Sequence, residues 1–266
     1  YGTFTTAYEI GSTVKGATLL TGYREGAVTI GTSQIDEPIV LGENLVKSSI
    51  FNRSGRIRMD DLMALEQSSN VYMFKIAMTM GGLSYYPYIG IASLLRDDTL
   101  QRLRNGYAQV GLGVPTGIDL PGETAGVIGV PNSPGKVLDI TIGQFDTYTP
   151  LQLVQYVSTI ANGGYRVQPR LLKEIRKPSK DGQMLGPLVE EIKPKILNRL
   201  DNTQDEIDRV REGFRRVYYG ARGTARSNFA NTAYTAAGKT GTAEVVYFGP
   251  QEDRYFTNTI NLVHVG

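Results

Sequence analysis

The 266-residue sequence predicts an α+β fold in which a helical lobe packs against an antiparallel sheet. Three observations carry this. Stretches with apolar residues every three or four positions dominate the chain as far as Ala161. Strand-like runs then appear on both sides of one further long helix. No run of about 18 apolar residues interrupts either pattern, so no spanning helix competes with a packed core.

The first predicted helix runs from Ser12 to about Tyr23 and ends near Gly22 or Gly26, with Gly16 and Ala17 small enough for close packing. A second covers Arg58 to Gln67, "RMDDLMALEQ", with Met59, Leu62 and Leu65 on one face. A third, "NVYMFKIAMTMGG", is closed by Gly81 and Gly82, which leaves "SSN" between two helices, with Ser68 or Ser69 as the cap. The glycine- and proline-rich segments "VGLGVPTGIDLPGE" and "GVIGVPNSPGKV" read as ordered surface loops of this lobe.

Thr149 opens the plainest helix: Thr149 is the N-cap, Pro150 takes the first position, Gln152 completes a capping box and Gly163 stops it. "YRVQPRLLKEI" and "EEIKPKIL" read as two strands joined by a polar turn from Arg176 to Gln183. A long helix follows from Thr203, boxed by Glu206 and ended at Gly220. "YTAAGKTGTAEVVYF" and "FTNTINLVHVG" are the last two strands, and neither repeats nor a composition break divide the chain.

Composition narrows the chemistry. With 41% apolar and 20% charged residues the chain can bury a sizeable core, and a net charge of +2 gives no electrostatic footprint for nucleic acid. There is no cysteine and a single histidine, His264, in the run "NTINLVHV". Thiol catalysis, disulfides and multi-histidine or cysteine metal sites are therefore absent, and His264 reads as a strand histidine at the sheet surface. A hydrolase or transferase built from this sequence must use lysine or a carboxylate as its base.

Two S-x-x-K patterns occur, at Ser12–Lys15 and at Ser133–Lys136. Residues three apart share a helix face, so Ser12 and Lys15 can meet, with the serine close to the positive end of the helix dipole. In the second copy Pro134 and Gly135 stand between the two, and a loop is expected there. A basic lysine must be desolvated or set near another cation, because its ordinary pKa is about 10.4. Lys239 in "AAGKTGTAE" supplies a second cation beside the small residues Thr240, Gly241 and Thr242, and Gly241 is expected to leave room for a substrate backbone along that strand edge. The same "GKT" is no phosphate loop, since the required glycine five residues before Gly238 is Ala233. Nor is "GLGVPTG" a dinucleotide fingerprint, since Thr116 replaces its third glycine.

"STVK" at 12–15, "SSN" at 68–70 and "KTGT" at 239–242 occur in the order that marks serine β-lactamases and penicillin-binding proteins. Together with "GVPTGIDLPGE", "IGQFDTYTPLQLVQYVSTIANGGYRVQP" and "AGKTGTAE", they make the chain resemble the penicillin-binding transpeptidase domain over nearly its whole length. "GQFDTYTPLQ" looks most like the class B, monofunctional enzymes of Gram-positive bacteria that serve side-wall elongation.

That resemblance implies a serine β-lactamase-like α+β fold over residues 1–266, cut short at both ends, with the anchor to the extracytoplasmic face of the membrane in a preceding segment. It implies Ser12 as the acylated nucleophile, Lys15 as its base, Ser68 as proton relay and Asn70 as the group holding Lys15 and the substrate amide. Lys239 would supply the field, Thr240 and Thr242 would bind the terminal carboxylate of a D-alanyl-D-alanine stem peptide, and the N–H groups of Ser12 and Thr242 would form the oxyanion hole. Stem peptides, β-lactams and elongation-complex membrane proteins are the implied partners, with no nucleic acid, metal or organic cofactor. Rival readings use the same residues: a β-lactamase, for which Glu123 is a candidate only by its position in "LPGET", a D,D-carboxypeptidase, or a non-catalytic penicillin sensor or scaffold.

Overall fold

The computed structural model describes residues 2–42, 45–83, 98–131, 133–179, 182, 185–229, 232–246 and 258–266. Its centre is α2 (Lys15–Arg24), continuous with a 3-10 turn over Gly11–Val14, and every residue from Lys15 to Tyr23 is buried. Small residues make this possible. A methyl on Gly16 would meet the Tyr156 hydroxyl at 2.4 Å and Phe214 at 2.5 Å, and one on Gly106 would meet Thr21 at 2.1 Å. Around α2 pack α3 (Asp61–Glu66), α4 (Asn70–Met80), α5 (Thr99–Gln109) and α8 (Gln204–Tyr219).

The described strands form five antiparallel pairs. β1 (Gln34–Asp36) pairs with β4 (Ile57–Met59), and β2 (Ile39–Gly42) with β3 (Leu45–Lys47). β5 (Tyr165–Val167) pairs with β8 (Ile196–Arg199), and β6 (Glu174–Arg176) with β7 (Leu188–Glu191). The longest pair, β9 (Lys239–Val246) with β10 (Asn258–Val265), sets Thr242 opposite Leu262 and lies against the 3-10 turn. This is the predicted α+β arrangement of helices beside antiparallel strands.

Two boxed helices stand where capping chemistry places them. α7 (Pro150–Ala161) carries both bonds of the Thr149–Gln152 box, and α8 both bonds of the Thr203–Glu206 box. Ser69, not Ser68, caps α4 by accepting from the Tyr72 N–H at 2.9 Å.

Three expectations need correction. Met59 belongs to β4, not to a helix with Leu62 and Leu65, because Asp60 caps α3 by accepting from Met63 N at 2.8 Å and so fixes the helix start after itself. The segment from Ser133 is not all loop: α6 (Pro134–Ile140) begins there, since proline at the first helical position loses no hydrogen bond. The two long strands predicted between Tyr165 and Leu197 are each divided, and the four pieces pair as nested hairpins, β6–β7 inside β5–β8. The short strands β1 to β4 lie within the mostly helical first half of the chain. The expected strand ends at Tyr247–Phe248 and Phe256–Thr257 lie outside the described residues.

Candidate active site

Gly11, at φ +52°, donates its N–H to the Gly143 carbonyl at 3.0 Å and turns the chain into the 3-10 turn that bears Ser12. The switch from this turn to α2 leaves backbone groups without helical partners, and one hydroxyl serves two of them. Tyr156 of α7, fully buried, accepts from Ala17 N and donates to the Thr13 carbonyl, each at 3.1 Å. Ser12 thus sits at a fixed height on a turn held from the opposite side of the core. It lines a cavity of about 530 Å³ with Asn70, Phe74, Lys47, Thr242 and Glu244.

Behind this cavity two lysines with no solvent exposure converge on one hydroxyl. Lys15 Nζ donates to Ser68 O at 2.7 Å, Ser68 Oγ at 3.0 Å and Asn70 Oδ1 at 2.7 Å. Lys239 Nζ donates to Ser68 Oγ at 2.9 Å and to the Thr240 carbonyl at 2.9 Å. Burial pulls the Lys15 ammonium well below the ordinary lysine range, the Lys239 charge lowers it further, and Asp36 works in the opposite direction. Burial alone brings Lys239 down to about 7. Desolvation is therefore the main source of a neutral lysine here, and the second cation assists it.

Ser68 is the one non-glycine among the described residues with a left-handed backbone, at φ +59°. That conformation turns its carbonyl and its hydroxyl together onto Lys15, which is work for which a backbone held in a sparsely populated region is suited. With both oxygen lone pairs receiving lysine N–H groups, the Ser68 hydrogen remains to be donated outward. Asn70 is oriented by Ser48, whose carbonyl accepts from Asn70 Nδ2 at 3.1 Å, so that Oδ1 faces Lys15.

β9 closes the site. Gly241 does not leave an open edge as expected; the Ile10 carbonyl lies 2.4 Å from where its methyl would be, with Thr13 at 2.8 Å. The glycine lets the strand press onto the 3-10 turn, and it is Thr242, on the exposed side, that reaches the cavity. Thr240 Oγ1 meets Thr224 Oγ1 at 2.7 Å. Asn70 and Thr242 thus line the cavity with Ser12, while Lys15 and Lys239 meet at Ser68 and Thr240 lends its carbonyl to Lys239.

The family model described as the penicillin binding protein transpeptidase domain matches residues 1–266. The chain belongs to the penicillin-binding protein transpeptidase family. Penicillin-binding protein H of Bacillus subtilis is 47% identical over 266 residues, covering all of this chain and 36% of that protein. Penicillin-binding protein 2A of the same organism is 44% identical, covering 98% of this chain and 35% of that protein. The transpeptidase-family chain therefore spans about a third of the length of these relatives. The crystallised penicillin-binding protein 2B of Streptococcus pneumoniae R6 superposes with a TM-score of 0.90 at 32% identity, over 99% of this chain and 42% of that one.

The other candidates have other partners. Ser133 stands at the N-terminal end of α6, and Lys136 lies over the Phe145 ring, 5.4 Å from its centroid. Glu123 is occupied as a turn organiser, accepting from Thr116 N at 2.6 Å, Thr116 Oγ1 at 2.5 Å and Gly117 N at 3.0 Å. His264 is not a bare surface histidine: its ring is hydrogen-bonded to the Tyr218 hydroxyl and stacked on Phe229. Asp36, Ser48, Ser49, Tyr156 and Thr224 support the transpeptidase site without belonging to any of its three motifs. Of these only Tyr156 lies within a segment quoted above, and nothing in its spacing marks it.

Proposed function

We propose that residues 1–266 act as the D,D-transpeptidase domain of a class B, Gram-positive elongation enzyme that crosslinks peptidoglycan stem peptides and is acylated by β-lactams. The observation that carries this reading is the Ser68 hydroxyl held between two fully buried lysines, one of them three residues beyond Ser12 on the same helical turn.

In this mechanism Ser12 Oγ attacks the carbonyl of the penultimate D-alanine while its proton passes to neutral Lys15. A neutral Lys15 keeps two N–H donors for Ser68 O and Asn70 Oδ1 and has a lone pair for a hydroxyl. The N–H groups of Ser12 and Thr242 receive the oxyanion, and Thr240 and Thr242 bind the terminal carboxylate. The C–N bond of the D-Ala-D-Ala amide breaks, and Ser68 hands the departing amine a proton that Lys15 or Lys239 replaces. An acceptor amine from a second stem peptide then attacks the acyl-enzyme, the ester C–O bond breaks, and Ser12 regains its proton. The reading sets the domain at the extracytoplasmic face of the membrane, with membrane proteins of the elongation complex as partners.

Intact mass after incubation with benzylpenicillin, followed by peptide mapping, tests it. A lasting adduct on the Ser12 peptide, lost in Ser12→Ala and kept in Ser133→Ala, is expected. Penicillin hydrolysed without an adduct would replace this reading by a β-lactamase. D-alanine released from a stem peptide as fast without an acceptor as with one would replace it by a carboxypeptidase.

A further inference from the structure

Asp36, at the end of β1, takes no part in the steps above, yet it is the carboxylate buried behind them, with 1% of its surface exposed. Three neutral side chains donate to it: Ser69 Oγ at 2.5 Å, Ser49 Oγ at 2.6 Å and Asn52 Nδ2 at 2.9 Å. Through Ser69 it holds the first turn of α4, since that hydroxyl also accepts from Tyr72 N. Through Ser49 it holds Asn70, whose N–H donates to Ser49 Oγ at 2.9 Å. The two residues that receive Lys15 are thus fastened on either side of Ser69, and Ser69 is fastened to Asp36.

Neutral donors stabilise a buried carboxylate but do not cancel its charge. Two ammonium groups sharing one hydroxyl present the opposite problem, because each disfavours the other. A buried anion behind two buried cations resolves both problems when the cations carry one proton between them beyond neutrality. We propose that Asp36 is the positioning residue that holds Ser68 and Asn70 on Lys15, and the buried anion that offsets the Lys15 ammonium.

The other charged groups around this centre are accounted for. The Lys239 charge reaches His264 of β10, whose partner across the ladder is Thr240. Lys75 of α4 approaches Asp36 from the far side, with Glu37 3.9 Å from its ammonium and Arg56 2.7 Å from Glu37. Lys15 itself responds to Lys239 and to Asp36 in opposite senses. When Ser12 gives up its proton, the lysine pair is doubly charged until Ser68 passes one proton to the leaving amine. Asp36 stabilises that interval.

The inference rests on the transpeptidase reading, and one titration separates the two. The rate of acylation by a fluorescent penicillin is measured against pH in the intact protein, alongside thermal melting, for the wild type, Asp36→Asn and Asp36→Glu. Removing the anion disfavours the ammonium form of Lys15, so the acid limb of the Asn variant's profile should move to lower pH by about one unit. The Glu variant keeps the charge but displaces it by one methylene; its acid limb should stay while its plateau falls. A cooperatively melting Asn variant with its acid limb on the wild-type position would overturn the inference and reduce Asp36 to a structural residue. Should the Asn variant fail to fold, Asp36→Ser, which removes the charge in a smaller side chain, is read in the same way: an acid limb moved downward upholds the inference, and one on the wild-type position overturns it. Failure of the wild type to be labelled on Ser12 would instead sink the parent reading, before any variant is compared.

Discussion

Gly11 and Gly241 face each other across the seam between the 3-10 turn and β9, and neither has room for a methyl. On Gly11 it would meet the Thr242 carbonyl oxygen at 2.4 Å, and on Gly241 the Ile10 carbonyl oxygen at 2.4 Å. Both clashes are with backbone, which cannot rotate away, so either substitution must part the nucleophile's turn from the strand that carries Lys239 and Thr242. Gly241→Ala should slow acylation by about 100-fold, since a misplacement of about 1 Å costs that much in an oriented reaction. Stopped-flow with a chromogenic cephalosporin reads the rate; a loss under threefold would show that the seam is softer than its geometry.

Ser68 separates strain from chemistry. Ser68→Gly relieves a left-handed backbone and Ser68→Ala does not, while both remove the hydroxyl that takes two lysine N–H groups. Both variants should therefore lose crosslinking, yet the Gly form should be more stable than the Ala form by roughly 1 kcal/mol. Equal melting temperatures would mean that the left-handed backbone stores no strain at this position.

Lys239→Met removes a positive charge that lowers Lys15, while burial, the larger cause, remains. The Lys15 proton should then be lost at a higher pH, so the acid limb of the acylation profile shifts upward, opposite to the shift expected for Asp36→Asn. An acid limb that stays in place or moves down would remove Lys239 from the control of the base.

Stability should itself depend on pH through the buried lysines. Lys239 has a native pKa of about 7 against an ordinary value of 10.5, so below about 7 both states are charged and the fold carries the whole cost of a buried ammonium. As pH rises from there towards the ordinary value, the unfolded chain holds the extra proton and stability increases. Melting temperature should rise between about pH 7 and pH 9 in the wild type, and less steeply in Lys239→Met.

Arg209 of α8 and Asp61 of α3 offer a control away from the cleft. Burial pushes the Asp61 carboxyl up, but hydrogen bonds from Arg209, Tyr23 and the Gly31 N–H hold it below the usual range. Arg209→Met leaves that fully buried carboxylate without its cation and should cost about 3 kcal/mol at neutral pH. Denaturant titration should show part of that loss recovered in acid, as Asp61 is protonated in both states. The rate of acylation per folded molecule should be unchanged.

How much of this was legible in the sequence follows from how local each signal is. Capping boxes are written within four residues, so α7 and α8 could be read directly from Thr149 and Thr203. Asp60 carries the same kind of signal, but the apolar period running through Met59 masked it. Proline at Pro134 was weighed as a breaker when its position made it a starter. At the site, the motif residues were found because their order along the chain is a signature. Their partners were not, because Asp36 reaches Ser69 and Tyr156 reaches Thr13 only after folding, and a lone aspartate or tyrosine bears no mark of it. The reading of Gly241 erred for the same reason, since the backbone that fills its open side comes from Ile10.

The hydroxyl shared by Lys15 and Lys239 also gives this chemistry a date in the life of the chain. Ribosomes deliver Ser12, Lys15, Ser68 and Asn70 early, but β9 comes after all of the helices described above, and contacts so distant in sequence are slow to form. A nascent chain that ends at Tyr219 owns a nucleophile and a base but neither the second cation nor the Thr242 N–H. On the proposed function, the site is therefore assembled only once β9 has been made, and a product interrupted before it would lack the lysine pair.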